Sequence, residues 1–336
     1  MSTRLMQVSA LFGALTLGLG MSASSVQAQS PIIIKYNHVV PENTSKGRAA
    51  TRFAKLANER LAGKVKVEVY PNAQLYEEDP AFQALLLGDI HITAPSMAKT
   101  GSFTKKLQVF DLPFLFDDVA AVDRFQRSPK GRELLNSMSG KGMKILSFGR
   151  EGMKQLHAKK PLRVPDDAKG LKFRIMASDV LAAQTQAVGG SPQKMAFGEV
   201  YNALQTGIID AHENTWSLIW SKKFFETAKY ITESNHGVLD YVVVTSAKFW
   251  AGLPADIRTE LEKIMEEVMQ LQYEEAAKET AEDRQHIIDT GKVELIQLNA
   301  EQRALWRAAM KPVWQKFEKE IGKDVIEAAA NSNRGS

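Results

Sequence analysis

The stretch IIIKYNHVVPENTSKGRAATRFAKLANERLAGKVKVEVYPN, residues 32–72, decides the fold class of this chain. Its apolar beginning, residues 32–36, is typical of a buried strand. Apolar side chains then recur at helical spacing over residues 46–61, and Gly63 ends that helix. The valines of residues 65–69 alternate with charged side chains, which predicts a second strand. A strand, a helix and a strand in this order predict two parallel strands connected by a helix.

The same alternation continues along the rest of the chain. A helix through residues 82–87 and a strand at 90–94 complete a βαβαβ order, which predicts a mostly parallel sheet with helices on its faces. Further strands are expected at residues 144–148, 169–175, 208–210 and 241–245, and further helices at 179–188, 199–205 and 300–329. The helical run from 254 to 290 is either two helices or one rod that crosses both domains. The chain is therefore predicted to be α/β, with two α/β domains joined by several crossings.

Composition and charge limit the class of protein. The chain has 336 residues, of which 44% are hydrophobic and 24% charged, as in a folded protein with room for two domains. Its 43 cationic and 39 anionic side chains are well mixed, and no basic run with interleaved aromatic residues indicates a nucleic-acid partner. The sequence has no cysteine, which excludes thiol nucleophiles, thiolate metal sites and iron–sulfur clusters.

The N-terminus has the pattern of a signal peptide. Arg4 supplies a positive charge, residues 10–21 form an apolar core, and Val26-Gln27-Ala28 fits the small-x-small cleavage pattern. The apolar core is shorter than the ~20 residues of a membrane-spanning helix. We therefore expect residues 1–28 to be removed on export by cleavage near Ala28, leaving a mature protein that begins near Gln29.

The sequence offers little for catalysis. After the signal peptide it contains no G-x-S-x-G elbow, Walker loop, H-E-x-x-H motif or G-x-G-x-x-G fingerprint. Its six histidines are scattered without the spacing of metal ligands, and the acidic run of residues 77–79 is expected to be a solvated turn. We therefore predict a protein that is not an enzyme and has no catalytic residue, metal or cofactor. An exported hydrolase or isomerase is the less favoured alternative.

Polar residues near strand ends indicate an anion pocket instead. Arg174 lies in KGLKFRI, residues 169–175, where the alternating pattern by itself predicts an exposed cation. Lys154 follows one predicted strand and Asn214 follows another. Ligands bind at the carboxyl ends of the strands in open parallel sheets. Strand ends that carry Arg, Lys and Asn fit an anion pocket between domains, although Asn214 is equally compatible with a loop-capping amide.

Several longer motifs of this chain follow one another in an order typical of a known protein family. The matching motifs in the middle of the chain are GMKQ (152–155), PDDAKGLKFR (165–174), FGEVYNALQTG (197–207) and IDAHENTW (209–216). Further matches are VYPNAQL (69–75), DLPFLF (111–116) and SNHGVLDY (234–241). Together these motifs span essentially the whole mature chain, which in this respect resembles the solute-binding proteins of tripartite ATP-independent periplasmic (TRAP) transporters.

The resemblance implies a periplasmic binding protein-like fold. In such a fold, hinge strands and a long helix join two α/β domains that close over a ligand. On this basis the first domain is expected to comprise residues 29–151 plus 240–279. The second domain is expected to comprise residues 152–239 plus 280–336, including the C-terminal helices.

The resemblance also implies which residues bind the ligand. Arg174 matches the arginine that receives the substrate carboxylate, Asn214 matches an asparagine that adds a hydrogen bond, and Phe197 resembles an aromatic that lines the pocket. Many members carry Arg at the position of Lys154, so bidentate geometry is lost there. Ala211 stands where the family often has Gly, which slightly stiffens the loop before Asn214.

The local sequence around Lys154 and Arg174 is similar to the dicarboxylate-binding (DctP-like) group of the family. Lys46 and Ser96 lie where the first domain is expected to meet the second carboxylate of such a ligand. A lysine at the start of a helix opposes the helix dipole, which is a weak indication of a nearby anion. A solvated lysine and a turn serine are equally compatible with these two positions.

The implied function is that of a periplasmic receptor. It is expected to capture a small dicarboxylate of the succinate, malate or fumarate type in the cleft between its domains. It is expected to be a monomer and to deliver the ligand to the small and large membrane permease subunits of the transporter. The alternative is the same role for another organic monocarboxylate, such as a keto, sugar or aromatic acid, because Arg174 requires only one carboxylate.

Overall fold

The described part of the chain contains two mixed β-sheets, each with helices on both faces. A computed structural model describes residues 30–334, and the chain from Pro31 onward forms one compact unit. The predicted signal peptide, residues 1–28, lies outside the described residues. Among the helices within residues 30–334, none combines the length and the apolar character that crossing a bilayer requires.

Eleven strands in the described range form the two sheets. In chain order they are β1 (Ile32–Asn37), β2 (Val65–Tyr70), β3 (Ile92–Thr93), β4 (Met143–Met153), β5 (Gln155–Ala158), β6 (Lys172–Ile175), β7 (Ser191–Lys194), β8 (Ala211–Asn214), β9 (Tyr230–Glu233), β10 (Val238–Ser246) and β11 (Glu294–Gln297). The first sheet has the order β2-β1-β3-β10-β4, and the second has the order β11-β9-β5-β8-β6-β7.

Helices connect these strands and follow the last one. In chain order they are α1 (Ser45–Arg60), α2 (Glu78–Leu87), α3 (Val119–Arg127), α4 (Pro129–Glu133), α5 (Asp179–Ala187), α6 (Val200–Thr206), α7 (Trp216–Ser221), α8 (Ala247–Gly252), α9 (Ala255–Asp289), α10 (Ala300–Met310), α11 (Pro312–Ile321) and α12 (Lys323–Asn331). Short 3₁₀ turns precede or join several of them.

Two long strands connect the sheets and explain why each sheet is mixed. β4 leaves the first sheet and is followed one residue later by β5 of the second, while β10 returns from the second sheet to the first. Because these crossing strands run in opposite directions, they pair antiparallel, whereas β1 pairs parallel with both β2 and β3. The α/β prediction is confirmed. The prediction of mostly parallel sheets is only partly right, since β5 and β10 are antiparallel to their neighbours.

The long helical run near the C-terminus is a single helix, α9, of 35 residues. Its first half buries Ile257, Leu261 and Val268 against the first sheet. Ile287, near its other end, lies in a core cluster of the second sheet. The helix also packs on α1, β4 and α7. One rod therefore spans both sheets, which decides between the two alternatives that the sequence left open.

The strand that leads to Asn214 begins later than predicted. Gly207 ends α6 in the left-handed conformation (φ 78°), and Ile208 then turns outward and is 59% exposed. Pairing with β5 and β6 begins only at Ala211. The predicted strand at residues 208–210 is therefore wrong by three residues, although the actual strand, β8, still ends at Asn214.

The core lies on both faces of each sheet, as expected for strands flanked by helices. The predicted domain boundaries, near residues 151, 239 and 279, stay a prediction. α11 and α12 pack with side chains of the first sheet, whereas α10 packs with the second. The buried side chains of these C-terminal helices include Trp306 and Met310 of α10, Val313 and Phe317 of α11, and Val325 of α12.

Candidate ligand-binding site

Two neighbouring parallel strands of the second sheet bring Arg174 and Asn214 together near their carboxyl ends. β6 and β8 pair with Arg174 opposite His212, and Asn214 follows two residues later on the same face. Both side chains are buried, with 3% and 1% of their surface exposed. The sheet therefore presents a guanidinium and a carboxamide side by side at the edge where parallel sheets bind ligands.

The first sheet and its helices bring four further polar side chains to the same space. Lys46 lies in the first turn of α1, and Glu78 begins α2. Ser96 follows β3 and forms a β-bridge with Tyr241 of β10, while Glu151 lies on β4. All four side chains are buried, although isolated charges are costly to desolvate. Such a concentration of buried charge indicates a binding site.

These side chains line one cavity between the two sheets. Ser96 Oγ lies 3.1 Å from Met176 Sδ, so side chains from the two sheets meet across the cavity. The apolar lining consists of Val39, Val40, Met176, Phe197, Leu218 and Leu239. Of the predicted site residues, those that line this cavity are Arg174, Asn214, Phe197, Ser96 and Lys46.

The guanidinium of Arg174 is held in a fixed plane. Nε and Nη2 both donate hydrogen bonds to the carbonyl oxygen of Met195, at 3.1 and 2.9 Å. The guanidinium carbon lies 6.0 Å from the ring centroid of Phe197. Burial lowers the pKa of Arg174 to about 10, against the opposing effect of nearby acids such as Glu78. Arg174 therefore stays a cation at neutral pH, in a pre-set orientation that suits a carboxylate.

Lys46 faces Arg174 from the other side of the cavity. Thr44 caps α1 by accepting a hydrogen bond from the Gly47 N–H at 3.1 Å, which fixes the turn that carries Lys46. Lys46 Nζ lies 4.6 Å from the centroid of the Tyr241 ring. That ring occupies space left by Gly149, where a Cβ would fall 2.1 Å from Tyr241 Cζ. Within residues 30–334, Lys46 forms no ion pair with a carboxylate, so its charge is available to a ligand.

Two polar groups in the cavity have unused hydrogen-bonding capacity. Asn214 Oδ1 accepts from the Thr215 N–H at 3.1 Å, but Asn214 Nδ2 has no partner among the described residues. In the same part of the chain, neither carboxyl oxygen of Glu151 has a partner. Burial raises the pKa of Glu151 to about 8, although Lys46 opposes the rise. An unpaired buried polar group costs about 1–3 kcal/mol, which a ligand that pairs it recovers.

Lys154 does not line this cavity, although the sequence predicts that it contacts the ligand. The side chain is fully buried, and Nζ donates to Glu213 Oε1 at 2.5 Å. Glu213 also accepts from Gln184 Nε2 and lies within hydrogen-bonding distance of His236 Nε2, both at 2.7 Å. Although burial opposes its ionisation, Lys154 and His236 hold the pKa of Glu213 well below its usual range. Because Glu213 and Asn214 are adjacent on a strand, they face opposite sides of the sheet, and Lys154 is on the far side.

The buried histidines of the second sheet bond to other protein groups. His157 Nδ1 lies 2.8 Å from His212 Nε2, and His157 Nε2 lies 2.9 Å from the Ala228 carbonyl oxygen. Burial lowers the pKa of both imidazoles, that of His157 to about 4. Over the described range, no cluster of three or more His, Asp or Glu side chains is arranged to hold a metal ion.

Glu78 and Glu151 are cavity residues that the sequence interpretation missed. The acidic run at residues 77–79 was expected to be a solvated turn, but Glu78 is 8% exposed and accepts a hydrogen bond from the Ser96 N–H at 2.9 Å. An acid in the first turn of a helix is stabilised by the helix dipole, and this was the available sequence signal for Glu78. The signal for Glu151 was its place directly before the GMKQ motif.

Comparison with known proteins gives consistent matches over nearly the whole chain. The profile of the family described as bacterial extracellular solute-binding protein, family 7 (DctP), matches residues 36–320. The C4-dicarboxylate-binding periplasmic protein DctP of Shewanella loihica is 54% identical over 315 residues, which cover 94% of this chain and 93% of that protein.

Solved structures of similar proteins have the same fold. The crystal structure of a TRAP periplasmic solute-binding protein from Shewanella oneidensis, with bound succinate, matches with a TM-score of 0.90 and 52% identity, covering 91% of this chain and 100% of that one. A TRAP periplasmic solute-binding protein from Pseudomonas aeruginosa, with bound L-malate, matches with a TM-score of 0.83 and 46% identity, covering 85% and 100% of the two chains.

Proposed function

This chain belongs to the bacterial extracellular solute-binding protein family 7, and on that premise we propose that its cavity captures a C4-dicarboxylate such as succinate or malate. The similar proteins named above support the ligand class, since one is named for C4-dicarboxylate binding and the others hold succinate and L-malate. Residues 36–320 match the family profile, so the resemblance covers both sheets and the cavity between them.

The observation that carries the proposal is the placement of two cations on opposite walls of one cavity. Arg174 comes from the second sheet and Lys46 from the helix that packs on the first. One ligand carboxylate would accept hydrogen bonds from the Arg174 guanidinium and from Asn214 Nδ2. The other would pair with Lys46, with the Ser96 hydroxyl nearby. Charge-assisted bonds of this kind are strong in a buried site, because little solvent competes for them.

A ligand held by both walls also gives a physical basis for closure. Only a ligand that interacts differently with the open and closed states shifts their populations. A dicarboxylate that bridges Arg174 and Lys46 does so, because both contacts form only when the walls approach. The receptor, as a monomer in its closed form, would then deliver the ligand to the small and large permease subunits in the membrane.

Isothermal titration calorimetry with succinate, malate and fumarate tests the ligand class and the anchor together. Arg174→Ala is expected to weaken binding on the order of a hundredfold or more, because truncating one partner of a buried charged pair costs ~2–5 kcal/mol. Arg174→Lys should recover only part of the loss, since it keeps the charge without the planar fork.

The matched control is Lys172→Ala on the same strand. Lys172 is exposed and its Nζ donates to the Gly207 carbonyl oxygen at 2.9 Å, outside the cavity, so its loss should leave affinity unchanged. Wild-type affinity in Arg174→Ala, or failure of wild type to bind any of the three ligands, contradicts the proposal.

Two further parts of the proposal have direct tests. The members of this family are solute-binding receptors. We propose that this member returns its ligand unchanged. NMR of succinate after prolonged incubation with the protein checks this. We also propose export with removal of residues 1–28. The intact mass of protein recovered from the periplasm should then correspond to a chain that begins near Gln29.

A further inference from the structure

Glu151 lines the cavity with a carboxyl group that is not used by the rest of the protein. The residue lies on β4 and is 2% exposed. Its backbone N–H donates to Asp240 Oδ1 at 3.0 Å, which fixes its position on the strand. Neither Oε1 nor Oε2 has a hydrogen-bond partner in the described chain. Both oxygens are therefore available to a molecule that enters the cavity.

The charged surroundings of Glu151 are dominated by acids. The titratable groups that face it are Lys46 on α1, Glu78 on α2, Asp240 and Tyr241 on β10, and Glu279 on α9, with Arg174 across the cavity. Lys46 favours the ionised carboxylate, while Glu279, Asp240 and Glu78 disfavour it. A second anion close to Glu151 would disfavour the ionised carboxylate further.

The charge balance of the cavity differs sharply between the two protonation states. Arg174 and Lys46 contribute two positive charges, and Glu78 with an ionised Glu151 would contribute two negative charges. A dicarboxylate dianion entering this neutral cavity would leave two uncompensated negative charges in a desolvated space. With Glu151 neutral the empty cavity carries one positive charge, and the same ligand leaves only one negative charge.

We propose that Glu151 meets the ligand as a neutral carboxylic acid that donates a hydrogen bond to a ligand carboxylate oxygen, so that capture of a dicarboxylate dianion takes up a proton. The inference rests on the dicarboxylate function proposed above and adds to it a residue that selects the charge of the ligand. The proton comes from the solvent and its buffer, and no covalent bond of the ligand changes. A protonated carboxyl supplies the donor that an ionised one lacks.

The direction of the pH dependence follows from burial and charge. Burial already raises the pKa of Glu151 to about 8 in the empty protein, and a bound dianion raises it further. Below pH 7 the group is neutral in both states, so little proton is taken up. Above pH 8 the empty protein loses the proton and the complex keeps it, so affinity falls as pH rises, by up to about tenfold per pH unit for one proton.

Calorimetry with succinate between pH 6.5 and 9 tests this directly in the wild-type protein. Titrations at each pH are run in two buffers of different ionisation enthalpy, which reports the number of protons exchanged. We expect near-zero uptake at pH 6.5, uptake approaching one proton per succinate at pH 9, and affinity that is flat up to pH 7 and falls above pH 8. The proton uptake is measured on the wild-type protein, so this test requires no variant.

The variant Glu151→Gln assigns the proton. Glutamine has the same shape and keeps a donor at every pH, so the affinity for succinate should no longer depend on pH. The fall in affinity between pH 8 and 9 and the buffer-dependent heat should both be lost. The exposed Glu133, which pairs with Lys130 on α4, provides the control: Glu133→Gln should keep the wild-type pH slope.

Three results overturn the inference. They are pH-independent binding by wild type, a pH slope that persists in Glu151→Gln, and a slope removed by Glu78→Gln but not by Glu151→Gln. Each of these leaves the dicarboxylate function standing, because succinate still binds. If wild type binds no succinate at any pH, the proposed function itself fails, so the two failures are distinguishable.

Discussion

Arg174 and Lys172 lie on the same face of β6 and have opposite environments. Their spacing of two residues makes them equivalent in the alternating pattern of a strand. Lys172 begins the strand and is exposed, whereas Arg174 is buried under the Met195 carbonyl and the Phe197 ring. Burial of Arg174 is therefore decided by its place along the strand and by the loop after β7, whereas the alternating pattern by itself predicted an exposed side chain.

Lys46→Met should separate a dicarboxylate ligand from a monocarboxylate. The substitution removes the second cation, so we expect succinate to bind on the order of a hundredfold more weakly. Butyrate, which has only the carboxylate for Arg174, should change less than about threefold. Calorimetry with both ligands makes the comparison, and Lys55→Met, on the exposed face of α1, is the control. Unchanged succinate affinity in Lys46→Met would support the monocarboxylate alternative.

Lys154→Met should lower the stability of the fold, and it should not remove a contact with the ligand. Removing the cation leaves Glu213 buried without its main partner, which we expect to lower the free energy of unfolding by ~3–5 kcal/mol. Urea unfolding measures the loss. Lys169→Met, at an exposed pair with Asp166, is the matched control and should change the free energy of unfolding by less than ~1 kcal/mol. Loss of succinate affinity with intact stability would show instead that Lys154 touches the ligand, as the sequence first suggested.

At the level of elements, the long helix α9 holds β4 in place through one buried side chain. Gln272 Oε1 accepts from the Arg150 N–H at 3.0 Å, and Gln272 Nε2 donates to the Arg150 carbonyl oxygen at 2.6 Å. This is where the β4–β10 ladder shifts register beside Asp240, which leaves the Arg150 backbone in need of other partners. The next residue on the strand is Glu151. A helix side chain therefore completes the hydrogen bonding of the strand that carries the cavity carboxyl group.

Gln272→Ala should lower the free energy of unfolding by ~2–4 kcal/mol, because it leaves a buried N–H and a buried carbonyl unpaired and opens a small void. Thermal or urea unfolding checks this value. Gln270→Ala, two residues away on the exposed side of α9, removes only a surface contact with Glu274 and should have little effect. Equal stability of the two variants would contradict the role given to Gln272.

For the molecule as a whole, the polar contacts that join the two sides of the cavity include a buried one and an exposed one. Ser96 Oγ contacts Met176 Sδ, and Lys105 Nζ pairs with Asp179 at 3.3 Å. The exposed Lys105–Asp179 pair contributes little to stability, so it does not hold the two sides together strongly. Under the proposed function, a ligand that binds both walls adds charge-assisted hydrogen bonds between them.

Succinate should both stabilise and compact the protein. At a free concentration of 100 times the dissociation constant we expect about 2.7 kcal/mol of added stability. Small-angle X-ray scattering should show a smaller radius of gyration, because the two carboxylates draw the walls together. Butyrate at 100 times its own dissociation constant should add equal stability with less compaction. The same compaction with both ligands would contradict closure by bridging.

The sequence by itself determined the features that depend on residues close together in the chain, above all the strands and helices. Apolar periodicity, glycine stops and β-branched runs located most strands and helices, since these elements form from local preferences and one buried face. The strand at 208–210 was misplaced because Gly207 ends α6 and exposes Ile208, although both isoleucines look equally buried in sequence. Strand ends and family motifs also pointed to five residues that line the cavity, namely Arg174, Asn214, Phe197, Lys46 and Ser96.

The tertiary structure decided which charges meet. Lys154 and Arg174 are both buried cations near the ends of strands. Lys154 is paired with Glu213, whereas Arg174 lines the cavity. Glu78 and Glu151 belong to the site because α2 and β4 lie beside Lys46 in the folded protein. Pairing between distant segments depends on the packing of whole sheets, and the desolvation that makes a charge costly or useful depends on that packing as well. For this reason the chain order predicts the walls of the cavity, while only the folded molecule sets its charge.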